Sequence, residues 1–167
     1  MIKLLVGCPG SGKTSYAHDA EQACKIIGNI TYKHISRDMI RFSLVKETEY
    51  YFSKEKEVFN LFVKEIQEAI DNRIDMIVID ATHISVSSRK KLLSRINIPE
   101  NYIFEAVVFD IPLDVLKKRN GLRAGRARVP ETAMENMFYD FSEPTYEELE
   151  KLVPNAEEIR FMHITEE

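Results

Sequence analysis

Near the start of the chain, Gly7, Gly10, Ser11, Gly12, Lys13, Thr14 and Ser15 fall within the run GCPGSGKTS. Gly7, four residues, then Gly12-Lys13-Thr14 is the spacing of a phosphate-binding P-loop. Glycines let the backbone wrap round a polyphosphate with its N–H groups turned inward. Lys13 has the reach and charge for the outer phosphates, and the Thr14 hydroxyl suits Mg²⁺. The helix that follows adds the positive end of its dipole. The chemistry implied is the binding of a nucleoside triphosphate such as ATP with Mg²⁺.

Other residues could complete a phosphoryl transfer, which needs positioning, Mg²⁺, a proton acceptor and cations for the developing charge. Asp38, flanked by Arg37 and Arg41, reads as a general base; as aspartate it would also serve as a helix N-cap. Asp80 closes the apolar run Met76-Ile77-Val78-Ile79, the shape of a Walker B aspartate that helps hold Mg²⁺, or else a turn residue. Thr82 and His83 follow it into the expected binding mouth. Lys117, Lys118, Arg119, Arg123, Arg126 and Arg128 form one basic cluster, and the part over about residues 119–130, holding Gly121 and Gly125, reads as a mobile basic lid or else a charged loop. A second basic group, Arg89, Lys90, Lys91 and Arg95, reads as a solvated helix face. His18, His34 and His163 read as surface or packing residues.

These side chains need elements to hold them. Met1 to Val6 is a short apolar run suited to a buried parallel strand. Ala17, Ala20, Cys24 and Ile27 then recur at helical spacing up to Gly28. Strands are expected over 30–35, 76–79, 102–109 and 158–164. Helices are expected over 38–46, 54–73 and 87–96, from Pro112 to about Arg119, from Pro130, and after a Thr145/Glu148 capping box. On the 54–73 helix, Val58, Phe59, Phe62, Ile66, Ala69 and Ile70 share one face. Strands alternating with helices predict an α/β fold: a mostly parallel sheet covered on both faces. In such sheets ligands sit beyond the carboxyl ends of the strands. That places the P-loop, Ser36-Arg37-Asp38, Asp80 to His83, Asp110 and the basic segment round one mouth.

Length and composition fit a single domain spanning residues 1–167, with a net charge of −4. That charge argues against broad coating of nucleic acid. No apolar run approaches the roughly 20 residues that span a bilayer, so no membrane association is expected. With the P-loop so early, no signal peptide is expected, and a reducing, cytoplasmic setting follows, with Cys8 and Cys24 as free thiols.

Five elements in order resemble the kinase half of phage-type, end-healing polynucleotide kinases, the ATP-dependent 5′-hydroxyl kinases of DNA and RNA. They are GCPGSGKT; ISRDMIRFS (residues 35–43), with an Arg-Asp-x-x-Arg element; IVIDATHISVSSRK (77–90), with His83 where the family usually has asparagine; VFDIPLDVLKKRN (108–120), leading to the lid; and FSEPTYEEL (141–149). The resemblance implies that Asp38 is the general base for a 5′-hydroxyl and that Arg41 holds the phosphate on the 3′ side of the terminal nucleotide. It implies that Arg123 stabilises the phosphate in transfer and that Arg119 supports it. The lid is slightly longer than the family pattern, which makes Arg126 an alternative to Arg123. No Asp-x-Asp-x-Thr sequence occurs, so no 3′-phosphatase domain is expected. The sequence leaves open a functional partnership with a ligase or phosphatase, and a homo-oligomer. Two rival readings stand beside this one: a P-loop kinase of a small acceptor (nucleoside, sugar or antibiotic), and a nucleotide-binding module without activity.

Overall fold

The computed structural model describes residues 1–166. Glu167, the last residue of the expected domain, lies outside them. Five strands form one parallel sheet: β1 (Ile2–Val6), β2 (Tyr32–Ser36), β3 (Met76–Asp80), β4 (Ile103–Asp110) and β5 (Glu158–Thr165), in the order β2-β3-β1-β4-β5. Every residue of β1, the central strand, is buried. Burial on both faces is what a continuous apolar strand in a parallel sheet requires. The edge strands β2 and β5 keep a mixed pattern.

The two faces follow from strand alternation, since neighbouring side chains point to opposite sides. Leu4, Ile79 and Phe104 enter one apolar cluster, closed by Phe62 and Ile66 of α3 (Glu55–Asp71), Leu92 of α4 (Val86–Leu93) and Leu149 of α7 (Tyr146–Leu152). Leu5, Val78 and Val107 enter the other. It is closed by Ala17 of α1 (Lys13–Ile27), Leu116 of α5 (Leu113–Gly121) and Met134 of α6 (Glu131–Tyr139). The short helix α2 (Arg37–Leu44) follows β2 and leads into α3. No helix among the described residues is long and apolar enough to cross a membrane.

The expected elements are present, with ends shifted by one to three residues, and the expected face of α3 is buried together with Val63. Three expectations need correction. Ile27 at the end of α1 is 69% exposed rather than packed. The Thr145/Glu148 capping box is half formed: Thr145 Oγ1 accepts from the Glu148 N–H, but the Glu148 carboxylate is turned toward Arg89. A full capping box stands instead at Ser85 and Ser88, at the start of α4. Arg89 is the third correction. It belongs to no solvated face, since it is fully buried, donating from Nε and Nη2 to the two Glu148 carboxylate oxygens at 2.7 Å each. Its Nη1 reaches the carbonyls of His83 and Ser142. This fork-to-fork pair, which satisfies donors and acceptors together, bolts α4, α7 and the segment after β3 into one block. Lys91 and Arg95 of the same group lie over the Phe59 ring.

Candidate active site

The loop between β1 and α1 is shaped by its glycines. Gly7 stands so close to β4 that an added Cβ would lie 2.8 Å from Phe109 Cβ. Gly12 caps α1 with φ 100°, a left-handed conformation that side chains disfavour. The Gly7 N–H donates to the Thr82 carbonyl at 2.9 Å, which ties the loop to the segment after β3. Thr82 therefore contributes its backbone to the mouth. Lys13, the first residue of α1, turns its ammonium back into the loop, donating to the carbonyls of Gly7 and Cys8 at 2.8 Å each and to Ser11 Oγ at 3.3 Å. Burial pushes its pKa down to about 8, although the nearby Asp80 charge opposes the shift. Thr14 and Ser15 are exposed on the first turn of α1, where helix N–H groups are unpaired.

Asp80 is the last residue of β3 and 5% exposed. Its Oδ2 accepts from Thr14 Oγ1 at 3.0 Å and from His34 Nε2 at 3.0 Å. It is no turn or cap residue. Burial works against its charge, but the hydrogen bond from His34 and the Lys13 charge prevail and hold the carboxyl below its usual range. Thr14 and Asp80 thus juxtapose two hard oxygen donors, a set that fits Mg²⁺.

His34 is a residue that sequence reasoning missed. It was read as surface or packing, yet it contacts Asp80, and the His18 ring meets its ring edge-on at 5.9 Å. The signal was strand parity: His34 pairs with Val78 and Ser36 with Asp80, so His34 and Asp80 share a face. His83 shows the opposite error. Its ring was expected in the mouth but is 4% exposed and stacked on Phe62, with Nδ1–H donating to the Leu5 carbonyl at 3.0 Å. Its backbone is left-handed, with φ 47°, which turns the side chain into the core. Burial pushes its pKa down to about 4, so it is neutral near pH 7. His83 therefore offers nothing to an acceptor.

Beyond β2, Ser36 accepts from the Met39 N–H and caps α2. Asp38 is thereby released from the capping role, and its side chain is 66% exposed. It accepts from Arg41 Nη1 at 2.5 Å and from Tyr51 Oη at 3.2 Å. Arg41 is 5% exposed and spends Nη2 on Glu55 Oε2 at 2.9 Å. Arg37 pairs with the other oxygen of Glu55. Glu55 was the second residue missed, because an acid in the first turn of a helix reads as a dipole partner. Among the described residues, the buried Nε atoms of Arg37 and Arg41 find no hydrogen-bond partner.

The basic segment after α5 forms a closed-necked loop. Asn120 is buried and clasps Val129 twice, its Nδ2 donating to the carbonyl and its Oδ1 accepting the N–H. Between them lie Arg123, Arg126 and Arg128, with a 3₁₀ turn at Gly125–Ala127. Arg123 donates to the Ala127 carbonyl, and its charge is felt at Lys13. Arg126 reaches across to the Val45 carbonyl beyond α2 and lies 4.7 Å over the Phe42 ring. Arg119 pairs with Glu166, and its Cβ lies 3.7 Å from a Cβ added at Gly10. Lys117 is taken up by Glu131 and Glu135 of α6.

The whole arrangement is one of known kind. One chain of the Pnkp1/Rnl/Hen1 RNA repair complex superimposes with a TM-score of 0.65 over 83% of this chain, at 24% identity. This chain spans 43% of the length of that one. Kti12 of Chaetomium thermophilum, solved with ADP-AlF3, gives 0.66 over 99% of this chain and 89% of its own, at 14% identity. A sugar kinase of Janibacter sp. HTCC2649 gives 0.62 over 98% of this chain and 84% of its own, at 13% identity. These likenesses share the fold, a P-loop kinase-like domain, which implies nucleotide binding. No curated protein matches the chain. Residues 2–144 match the family described as AAA domain, and with that span covering most of its length the chain belongs to that family.

Proposed function

We propose that this protein is a kinase that moves the γ-phosphate of ATP, or another nucleoside triphosphate, to the 5′-hydroxyl end of DNA or RNA. The observation that carries the reading is the contact between Asp38 and Arg41 at the mouth of the P-loop. Asp38, exposed and not committed to a cap, would take the proton of the attacking hydroxyl at its carboxylate. Arg41, with Arg37 beside it, would orient an acceptor phosphate next to that hydroxyl. Lys13 and the first turn of α1, with Ser11, Thr14 and Ser15, would cradle the donor phosphates. Arg123, Arg119 and Arg126 would close over the transferring group and exclude water. Thr14 and Asp80 would hold Mg²⁺, which would supply positive charge against the charge developing on the phosphate. The likeness to a chain of the Pnkp1/Rnl/Hen1 RNA repair complex supports a reading in which such a kinase works with other repair proteins.

One observation favours a second reading, a small acceptor without a phosphate. The Arg41 guanidinium already donates to Asp38, Tyr51 and Glu55. An acceptor phosphate would have to share the guanidinium with these three partners. Labelled ATP supplied with a 5′-hydroxyl oligonucleotide, nucleoside 3′-monophosphates, nucleosides and sugars decides between the two. Label entering the oligonucleotide and the 3′-monophosphates, with an Arg41→Ala variant about ten- to a hundredfold weaker on those two acceptors only, is the expected result. Label entering only sugars or plain nucleosides selects the second reading.

A further inference from the structure

The loop between α2 and α3 carries aromatic residues that the transfer chemistry leaves unused. Tyr50 is 74% exposed and Phe52 is 50% exposed. Their rings stand 5.9 Å apart, and Phe52 meets Tyr51 edge-on at 4.8 Å. Phe42 of α2 extends the group, 6.4 Å from Tyr51. Cations are set among the rings: Arg41 lies 4.7 Å over Tyr51 and 5.5 Å over Phe52, and Arg126 of the basic loop lies over Phe42. The patch begins at the candidate base, because Tyr51 Oη donates to Asp38 Oδ1.

Exposed rings of this size cost hydration free energy unless something covers them. The occupant must be flat and apolar on its face and must carry negative charge at its edge, to meet Arg41 and Arg126. An unpaired nucleotide has that chemistry, and aromatic rings interleaved with cations are how single strands are held without regard to sequence. A neutral sugar carries no negative charge for Arg41 and Arg126, and a base within a duplex hides its faces against its neighbours.

We infer that Tyr50 and Phe52, backed by Phe42 and Tyr51, form a stacking platform for the unpaired bases at the 5′ end of the acceptor strand. This rests on the polynucleotide reading above and deepens it, since the platform makes single-stranded ends the substrate class. Arg41 and Arg126 hold the backbone between the platform and Asp38.

The test compares the wild-type protein with a Tyr50→Ala/Phe52→Ala variant on two fluorescent 5′-hydroxyl oligonucleotides. One has ordinary bases, and the other has the same backbone with its first three nucleotides abasic. Tyr50 is largely exposed and Phe52 half-exposed, so the variant should melt within a few degrees of the wild type. Wild type should bind the intact strand about 5- to 150-fold more tightly for each base stacked. The variant should lose that advantage on the intact strand and bind the abasic strand as wild type does. Phosphate transfer, measured on the same pairs, should follow the same pattern in kcat/KM. Equal affinity of wild type for the two strands, or equal losses by the variant on both, overturns the platform. Ring-dependent binding without any transfer would leave the platform standing and refute the kinase reading instead. Ring-dependent retention of a peptide or sugar, with neither strand bound, assigns the patch to another partner.

Discussion

Arg41 is shared between two carboxylates of opposite exposure: Asp38, open to the mouth, and Glu55, half-buried at the start of α3. Its guanidinium holds Asp38 in place without removing it from solvent. Because Ser36 caps α2, changing Asp38 does not remove the helix cap. Asp38→Asn should lower kcat at least about a hundredfold, the lower bound of what a general base contributes. Its melting temperature should stay within a few degrees of wild type. Single-turnover transfer and thermal melting on one preparation check both, and near-normal kcat would remove Asp38 from the mechanism.

The two lid arginines should separate by kinetic parameter. Arg123 is electrostatically coupled to Lys13, whereas Arg126 is anchored to Val45 and Phe42 beside the acceptor side. Arg123→Ala should lower kcat more than it raises the KM for ATP, as expected where charge develops on the moving phosphate. Arg126→Ala should chiefly raise the KM for the acceptor. Steady-state kinetics on both variants, varying ATP and acceptor in turn, would show the reverse pattern if these roles were exchanged.

Arg89→Ala should be the most destabilising of the changes considered. It leaves Glu148 as a partly buried carboxylate without its guanidinium partner and strips partners from the His83 and Ser142 carbonyls. Losing one member of such a buried pair costs about 3–5 kcal/mol. Urea denaturation gives the number. Arg89→Lys, which keeps the charge but loses the fork, should fall between the two. A loss below about 1 kcal/mol would mark the pair as solvated, since exposed ion pairs contribute no more than that.

His83 gives the fold an acid sensitivity. Its pKa in the folded protein is about 4, against an ordinary histidine value of 6.5. Between those values the unfolded chain binds more protons than the folded one, so stability rises with pH through this window and falls on acidification. From pH 7 to pH 5 the loss from this one group is at most about 2 kcal/mol. Asparagine tolerates the left-handed backbone found here. His83→Asn should therefore show a smaller drop in stability between pH 7 and pH 5 than wild type, whatever its absolute stability. Parallel denaturation curves at the two pH values measure this, and equal drops would assign the acid loss to other groups.

Much of this was legible because it is carried by pattern. The P-loop follows from spacing and the sheet from alternating runs. The apolar face of α3 follows from a 3.6-residue period. Asp80 was legible because a polar residue ending an apolar strand has to lie at the mouth. What escaped depends on pairing across the fold. Arg89 looked like one cation among four, yet Leu92 and Leu93 stand three and four residues on, the spacing of one buried helix face. Its charge is tolerable there only because Glu148, 59 residues away, meets it. Glu55 likewise takes its meaning from Arg37 and Arg41, which the local sequence does not bring to it. His83 was misplaced because strand order gave its position, and its left-handed backbone then turned the ring inward.

The double clasp of Asn120 on Val129 makes the segment between them a cassette. Its ends are fixed by hydrogen bonds that no residue within it supplies, so its length and content can drift with little effect on the strands and helices beneath. Doubling a flexible loop costs only about 0.6 kcal/mol in closure entropy. A graft of a longer or differently charged segment between residues 120 and 129 should therefore fold as the parent does, and the eight residues 121 through 128 can be exchanged as one unit.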